Sequence, residues 1–137
     1  MSSALIAQKT LTTSQQAAQQ TVKKMFDALS YRDSVNLKAH SAADITLHEY
    51  GRVWNVDTII LEAITLNQSA DLKHTISFAF INTKVDKSTA WITYRLQSVI
   101  TKNGKTANVQ WLETVGLVKV KKQWKVKHLH STLIKRS

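Results

Sequence analysis

The chain has 137 residues, no cysteine, and 19 lysines and arginines against nine acids, a formal charge of +10. That length buries the core of one domain without help from metal or disulfide, and the missing cysteine excludes disulfides, thiolate metal sites and a cysteine nucleophile. No apolar run reaches the roughly 20 residues of a membrane-spanning helix, so no membrane partner is expected.

Residues 1–13, rich in Ser and Thr, read as an N-terminal arm, and 14–137 as a single domain. Met1 to Gln20 hold no basic stretch ahead of an apolar core, so the expected location is cytoplasmic, or periplasmic where a leader has been removed. A helix is expected after Ser14 as N-cap, with Ala18, Val22, Met25, Phe26 and Leu29 at helical spacing. Asp33 can cap a second, short helix to about His40, and Ser41 to Asp44 read as the loop that ends it. Ile45, Leu47 and Glu49 then alternate with Thr46, His48 and Tyr50, which gives a strand whose apolar face carries a carboxylate, Glu49. Gly51 turns the chain and Arg52 to Trp54 make a short strand. Asp57 is expected to cap a third helix from Thr58 to about Leu66, with Ile59, Ile60, Ala63 and Ile64 on its apolar side. A polar loop, Asn67 to Leu72, leads to a strand from about Lys73 to Thr83 and a turn from Lys84 to Thr89.

The last third holds three strand-like segments. Asn103-Gly104, flanked by alternating apolar and polar residues, is the sequence signature of a tight hairpin whose two central residues need φ > 0. Pairing Lys102 with Lys105 then places Ser98 opposite Val109, Leu96 opposite Trp111, Tyr94 opposite Glu113 and Ile92 opposite Val115, all on the core face. A carboxylate between Trp111 and Val115 loses hydration, so Glu113 must be paired, hydrogen-bonded or protonated, and Tyr94 stands across from it. Gly116 reads as a bulge after which the apolar phase passes to Val118 and Val120. The closing strand, Trp124 to about Ile134, puts Trp124, Val126, His128 and His130 on one face and Lys125, Lys127 and Leu129 on the other. The two histidines could share an ion, but no third ligand is fixed, so no metal is expected. Beyond Asp71, thirteen bases face only Asp86 and Glu113. Because those lysines alternate singly with apolar residues, they read as a solvated face rather than a nucleic-acid footprint.

The ending Trp124-Lys-Val-Lys-His128-Leu-His130-Ser131, the Asp33 turn, the Ala43-Asp44-Ile45-Thr46 segment and the stretch from Trp54 to Asp57 follow one another in an order of elements that resembles the nuclear transport factor 2-like superfamily. The ending is similar to that of its SnoaL-like and DUF4440-type members, and the resemblance covers about residues 14–134. It implies an α+β fold, a cystatin-like cone in which a curved antiparallel sheet wraps about three N-terminal helices. It also implies a pocket at the wide end and a homodimer through the outer sheet face. The pocket is expected at Met25, Trp54, Trp111, His128 and His130. Laid on the ketosteroid isomerases of this superfamily, Glu49 falls on the general base and Glu113 on the carboxyl that donates to an oxyanion, while the family's oxyanion Tyr falls at about Met25. The expectation is a cofactor-independent pocket for a small apolar or aromatic ligand, in a non-catalytic binding or assembly homodimer. The alternative is an isomerase, cyclase or dehydratase in which Glu49 moves a proton and Glu113 donates a hydrogen bond with Tyr94. A third reading is anion or nucleic-acid binding by the lysine-rich strands.

Overall fold

In chain order, the computed structural model, which describes residues 10–66 and 72–137, contains helices α1 (Thr13–Ser30) and α2 (Ser34–Ala39) and strands β1 (Ser41–Glu49) and β2 (Arg52–Trp54). Helix α3 (Val56–Ile59) runs into a π-helical turn (Ile60–Thr65), and four long strands follow, β3 (Lys73–Asp86), β4 (Thr89–Lys102), β5 (Lys105–Val120) and β6 (Gln123–Arg136). The expected arm up to residue 9 and the loop over residues 67–71 lie outside the described residues.

Six strands form one sheet in the order β2-β1-β6-β5-β4-β3. The fold is the α+β cone expected, with one refinement: β1 lies parallel to β6, so the sheet is mixed rather than wholly antiparallel. That pairing extends β1 back to Ser41, where a loop was expected. Val126 N donates to the His40 carbonyl, and Ser41 pairs with Val126, so tertiary hydrogen bonding turns a small-residue stretch into strand.

Helix α1 begins earlier than Ser14. Thr12 caps it, accepting from Gln15 N at 3.1 Å, while the Gln15 side chain accepts from Thr12 N at 2.8 Å, the reciprocal pair of a capping box. Its inner face presents Val22, Met25 and Phe26, and Phe26 meets Phe78 and Tyr94 edge-on, with centroids 5.6 and 6.3 Å apart. Helix α3 is capped by Asn55, whose side chain accepts from Thr58 N at 2.9 Å, so Asp57 sits within the first turn instead. The wide turn that follows brings residues five apart to one face. Ile59 and Ile64 are both buried. Strand β3 continues three residues past Thr83, carried by its pairing with β4 to Asp86.

The Asn103-Gly104 hairpin has φ of 53° and 74°, and every expected β4–β5 pair is present. The phase expected at Gly116 is not: Leu117 stays buried, and Val118 and Val120 are more exposed. The irregularity lies across the ladder in β6. Gly116 pairs with His128 and Leu117 with Val126, which leaves Lys127 as the extra residue. A second extra residue, Ile134, falls between the pairs Gln110–Lys135 and Trp111–Leu133. No described helix is long and apolar enough to cross a membrane.

Candidate functional site

A row of side chains crosses the concave face. Register places Phe80, Tyr94, Glu113 and Ser131 side by side on β3, β4, β5 and β6. The parallel pairing of His48 with His130 brings Glu49, one residue on, to the level of Ser131. Strands lie about 4.8 Å apart, so the Glu49 and Glu113 backbones stand about 10 Å apart with Ser131 between them.

Glu113 is 4% exposed. Tyr94 Oη donates to its Oε1 at 2.7 Å and Ser131 Oγ to its Oε2 at 2.5 Å. Burial pushes the carboxyl from its usual 4.5 up to about 7; the two hydroxyl donors pull against that shift, and the charge of Glu49 adds to it. Glu113 is therefore a group that gains and loses its proton near neutrality. Tyr94 is fully buried, and burial first, then the adjacent carboxylate, raises its pKa well above 10.0, so it stays protonated as a donor. Glu49 is raised too, by burial. Its side chain makes no hydrogen bond or ion pair among the described residues.

Both carboxyls line one cavity of about 330 Å³, between α1, the α3 turn and the sheet. Its walls are mainly apolar and include three expected residues, Met25, Trp54 and Trp111. Tyr94 is not part of the wall; it stands behind Glu113 and reaches the cavity only through it. Burial pushes His74 down, so its ring is neutral, and its Nε2 shares a hydrogen bond with Ser98 Oγ on the opposite wall from Glu49.

His128 and His130 are not pocket residues. The extra residue Lys127 resets the phase of β6, so Trp124 and Val126 face inward before it and Leu129 and Ser131 after it. Both histidines sit on the outer face, with His48 at ring distances of 4.7 and 5.8 Å, and His128 Nδ1 pairs with Thr46 Oγ1 at 3.0 Å. Burial first, then the nearby His48 and His130, lowers the His128 pKa. No group of three or more His, Cys, Asp or Glu among the described residues is arranged to hold a metal ion. Sequence reasoning missed His74, Ser131 and Arg136 as lining residues. For Ser98 the signal was present, because the Asn103-Gly104 register already faces it inward.

A family model described as the SnoaL-like domain matches residues 18–134. Among curated proteins, none matches the sequence. Of the solved structures, a ketosteroid isomerase-like protein from Erwinia carotovora atroseptica superposes with a TM-score of 0.72 at 14% identity, covering 91% of this chain and 99% of that one. An NTF2-like protein from Cytophaga hutchinsonii gives 0.74 at 13% identity, over 90% and 100% of the two chains. A protein with a cystatin-like fold from Caulobacter vibrioides gives 0.66 at 16% identity, over 88% and 89%. At such identities the likeness establishes the fold alone.

Proposed function

Because this chain belongs to the SnoaL-like domain family, we propose that it binds a small, largely apolar carbonyl compound between Glu49 and Glu113 and moves a proton on it, as an isomerase or dehydratase does. One observation carries the reading: two carboxyls reach the same apolar cavity, neither in an ion pair with a described residue, and burial displaces both from their ordinary range. Divergent environments for two acids are how one site keeps a base and an acid at one pH. Glu49, the more readily ionised, accepts a proton from the carbon next to the carbonyl. The electron pair moves onto the carbonyl oxygen, where protonated Glu113 donates a hydrogen bond, its carboxyl held in place by Tyr94 and Ser131. Return of the proton from Glu49 to another carbon completes an isomerisation; collapse of the enolate with departure of a β-hydroxyl, which takes that proton from Glu49 and leaves as water, completes a dehydration.

The test is deuterium exchange from D2O into 2-tetralone, a two-ring ketone, followed by NMR. Protein-dependent exchange is expected, reduced roughly 100- to 10,000-fold in Glu49→Gln. Exchange at the wild-type rate in that variant removes the proposal. Met25 supports a second reading, non-catalytic binding, because it puts a thioether where the family resemblance expects a hydroxyl donor. That reading predicts saturable 2-tetralone binding with no exchange. Trp91, 60% exposed on the outer face across from Gly116, and Leu112, 37% exposed further along the same face, support a homodimer through that face. Light scattering should then give twice the chain mass, falling to one chain mass in Trp91→Lys.

A further inference from the structure

At the mouth of the cavity lies a positive charge that the proton transfer does not use. Arg136 lines the cavity near the end of β6, and the second extra residue of that strand is what turns it there. Leu133 pairs with Trp111 on the inner face. With a regular ladder beyond it, Lys135 would follow inward and Arg136 outward. The bulge at Ile134 reverses this, pairing Arg136 with inward-facing Val109. The backbone there is held firmly, because Ser137 and Asn108 exchange two hydrogen bonds of 2.8 and 2.7 Å just past it.

The guanidinium has one polar contact, Nη2 donating to Tyr50 Oη at 3.3 Å, and no ion pair among the described residues. The other charges at the mouth cancel. Glu62 is bound to Arg52 at 3.4 Å, and Arg52 also lies over the Trp54 ring at 4.5 Å. Among the described lining residues Arg136 is the only arginine or lysine, and His74 is neutral. Between this cation and the acids lies an apolar stretch. Val109 and Glu113 are four residues apart on β5, so Arg136 stands about 13 Å along the sheet from the Glu113–Ser131 level. Trp111 fills the interval, its ring against Tyr50 at 5.6 Å.

From this arrangement we infer that the ligand of the cavity carries a carboxylate, held at the mouth by the forked guanidinium of Arg136 and the Tyr50 hydroxyl, while its apolar body lies along Trp111 toward Glu49 and Glu113. The planar fork of arginine matches the two oxygens of a carboxylate, and a single cation balances its single charge. The ligand class is an apolar ring acid. The inference rests on the small-molecule reading of the same cavity.

Titration calorimetry with 2-naphthylacetate and its uncharged isostere 2-naphthylacetamide tests it. The wild-type protein is expected to bind the acid about tenfold more tightly than the amide. In Arg136→Gln that preference disappears. Arg136→Lys, which keeps the charge and loses the fork, should retain part of it. Arg136 is exposed, so neither change threatens folding. Equal wild-type affinity for acid and amide overturns the carboxylate, and a preference that survives in Arg136→Gln overturns Arg136 as the group that holds it; both outcomes leave the cavity reading standing. If neither compound binds at millimolar concentration, both readings fall together.

Discussion

Replacing Glu113 by Gln should stabilise this protein at alkaline pH and not at acidic pH. In the unfolded chain the carboxyl titrates near 4.5; in the fold, burial holds it near 7. The folded state therefore keeps the proton more tightly, so the stability this group contributes is fully present below pH 4.5 and is lost as pH rises through 7. At about 1.36 kcal/mol per pH unit, the loss is about 3 kcal/mol. Gln keeps the shape and never ionises. It can still accept from Tyr94, and its amide can donate to a rotated Ser131, at a cost of about 1 kcal/mol for imperfect geometry. Urea unfolding of both proteins at pH 5 and pH 8 measures the difference. The variant should be slightly less stable at pH 5 and about 2 kcal/mol more stable at pH 8, a midpoint gain of about 1 M. Because every other titrating group is shared, two stability curves that run parallel from pH 5 to 8 would refute a carboxyl held near 7.

Tyr94→Phe removes a donor that lowers the Glu113 pKa, so the carboxyl should titrate above 7, read by carboxyl carbon NMR; an unchanged midpoint contradicts the buried pair. In the β5–β6 turn, Lys121 and Lys122 have φ of 51° and 67°, which strains side chains carrying a Cβ. Lys121→Asn with Lys122→Gly should add about 1–2 kcal/mol in denaturant titrations. Thr12→Ala deletes one half of the capping box and should cost about 1 kcal/mol, with no effect on ligand binding.

How far the sequence could be read depended on where pairing is local. The Asn103-Gly104 turn carries its own geometry, so the whole β4–β5 register, and with it the Tyr94–Glu113 pair, was legible from alternation alone. Glu49 was found the same way on β1. The family resemblance and the order of elements supplied the cone. What failed depends on contacts distant in sequence. Nothing in Ser41 to Asp44 announces a strand, because the partner that makes it one lies some 85 residues away. The phase of β6 was misread because an extra residue in an edge-free strand has no local marker. Lys127 looks like any other solvent-facing lysine, and its carboxylate partner Asp44, at 2.6 Å, belongs to β1. The histidines were thus put inside, and Leu129, which is buried, on the opposite face. Asp57 was read as the cap of the third helix, whereas the Asn55 side chain accepts from Thr58 N and starts the helix two residues earlier.

The two extra residues of β6 divide that strand into three lengths whose inward faces are set separately: Trp124 and Val126, then Leu129 to Leu133, then Arg136. A strand without bulges transmits any gain or loss of one residue along its whole remaining length, exchanging inside for outside at each position beyond it. Here such a change can be absorbed at the nearest irregularity. The segment that carries Arg136 can accordingly lengthen, shorten or exchange its charge while the Ser131 hydroxyl keeps its place on Glu113. A change at the Arg136 end of the strand is thereby uncoupled from the hydrogen bond that Ser131 gives to Glu113.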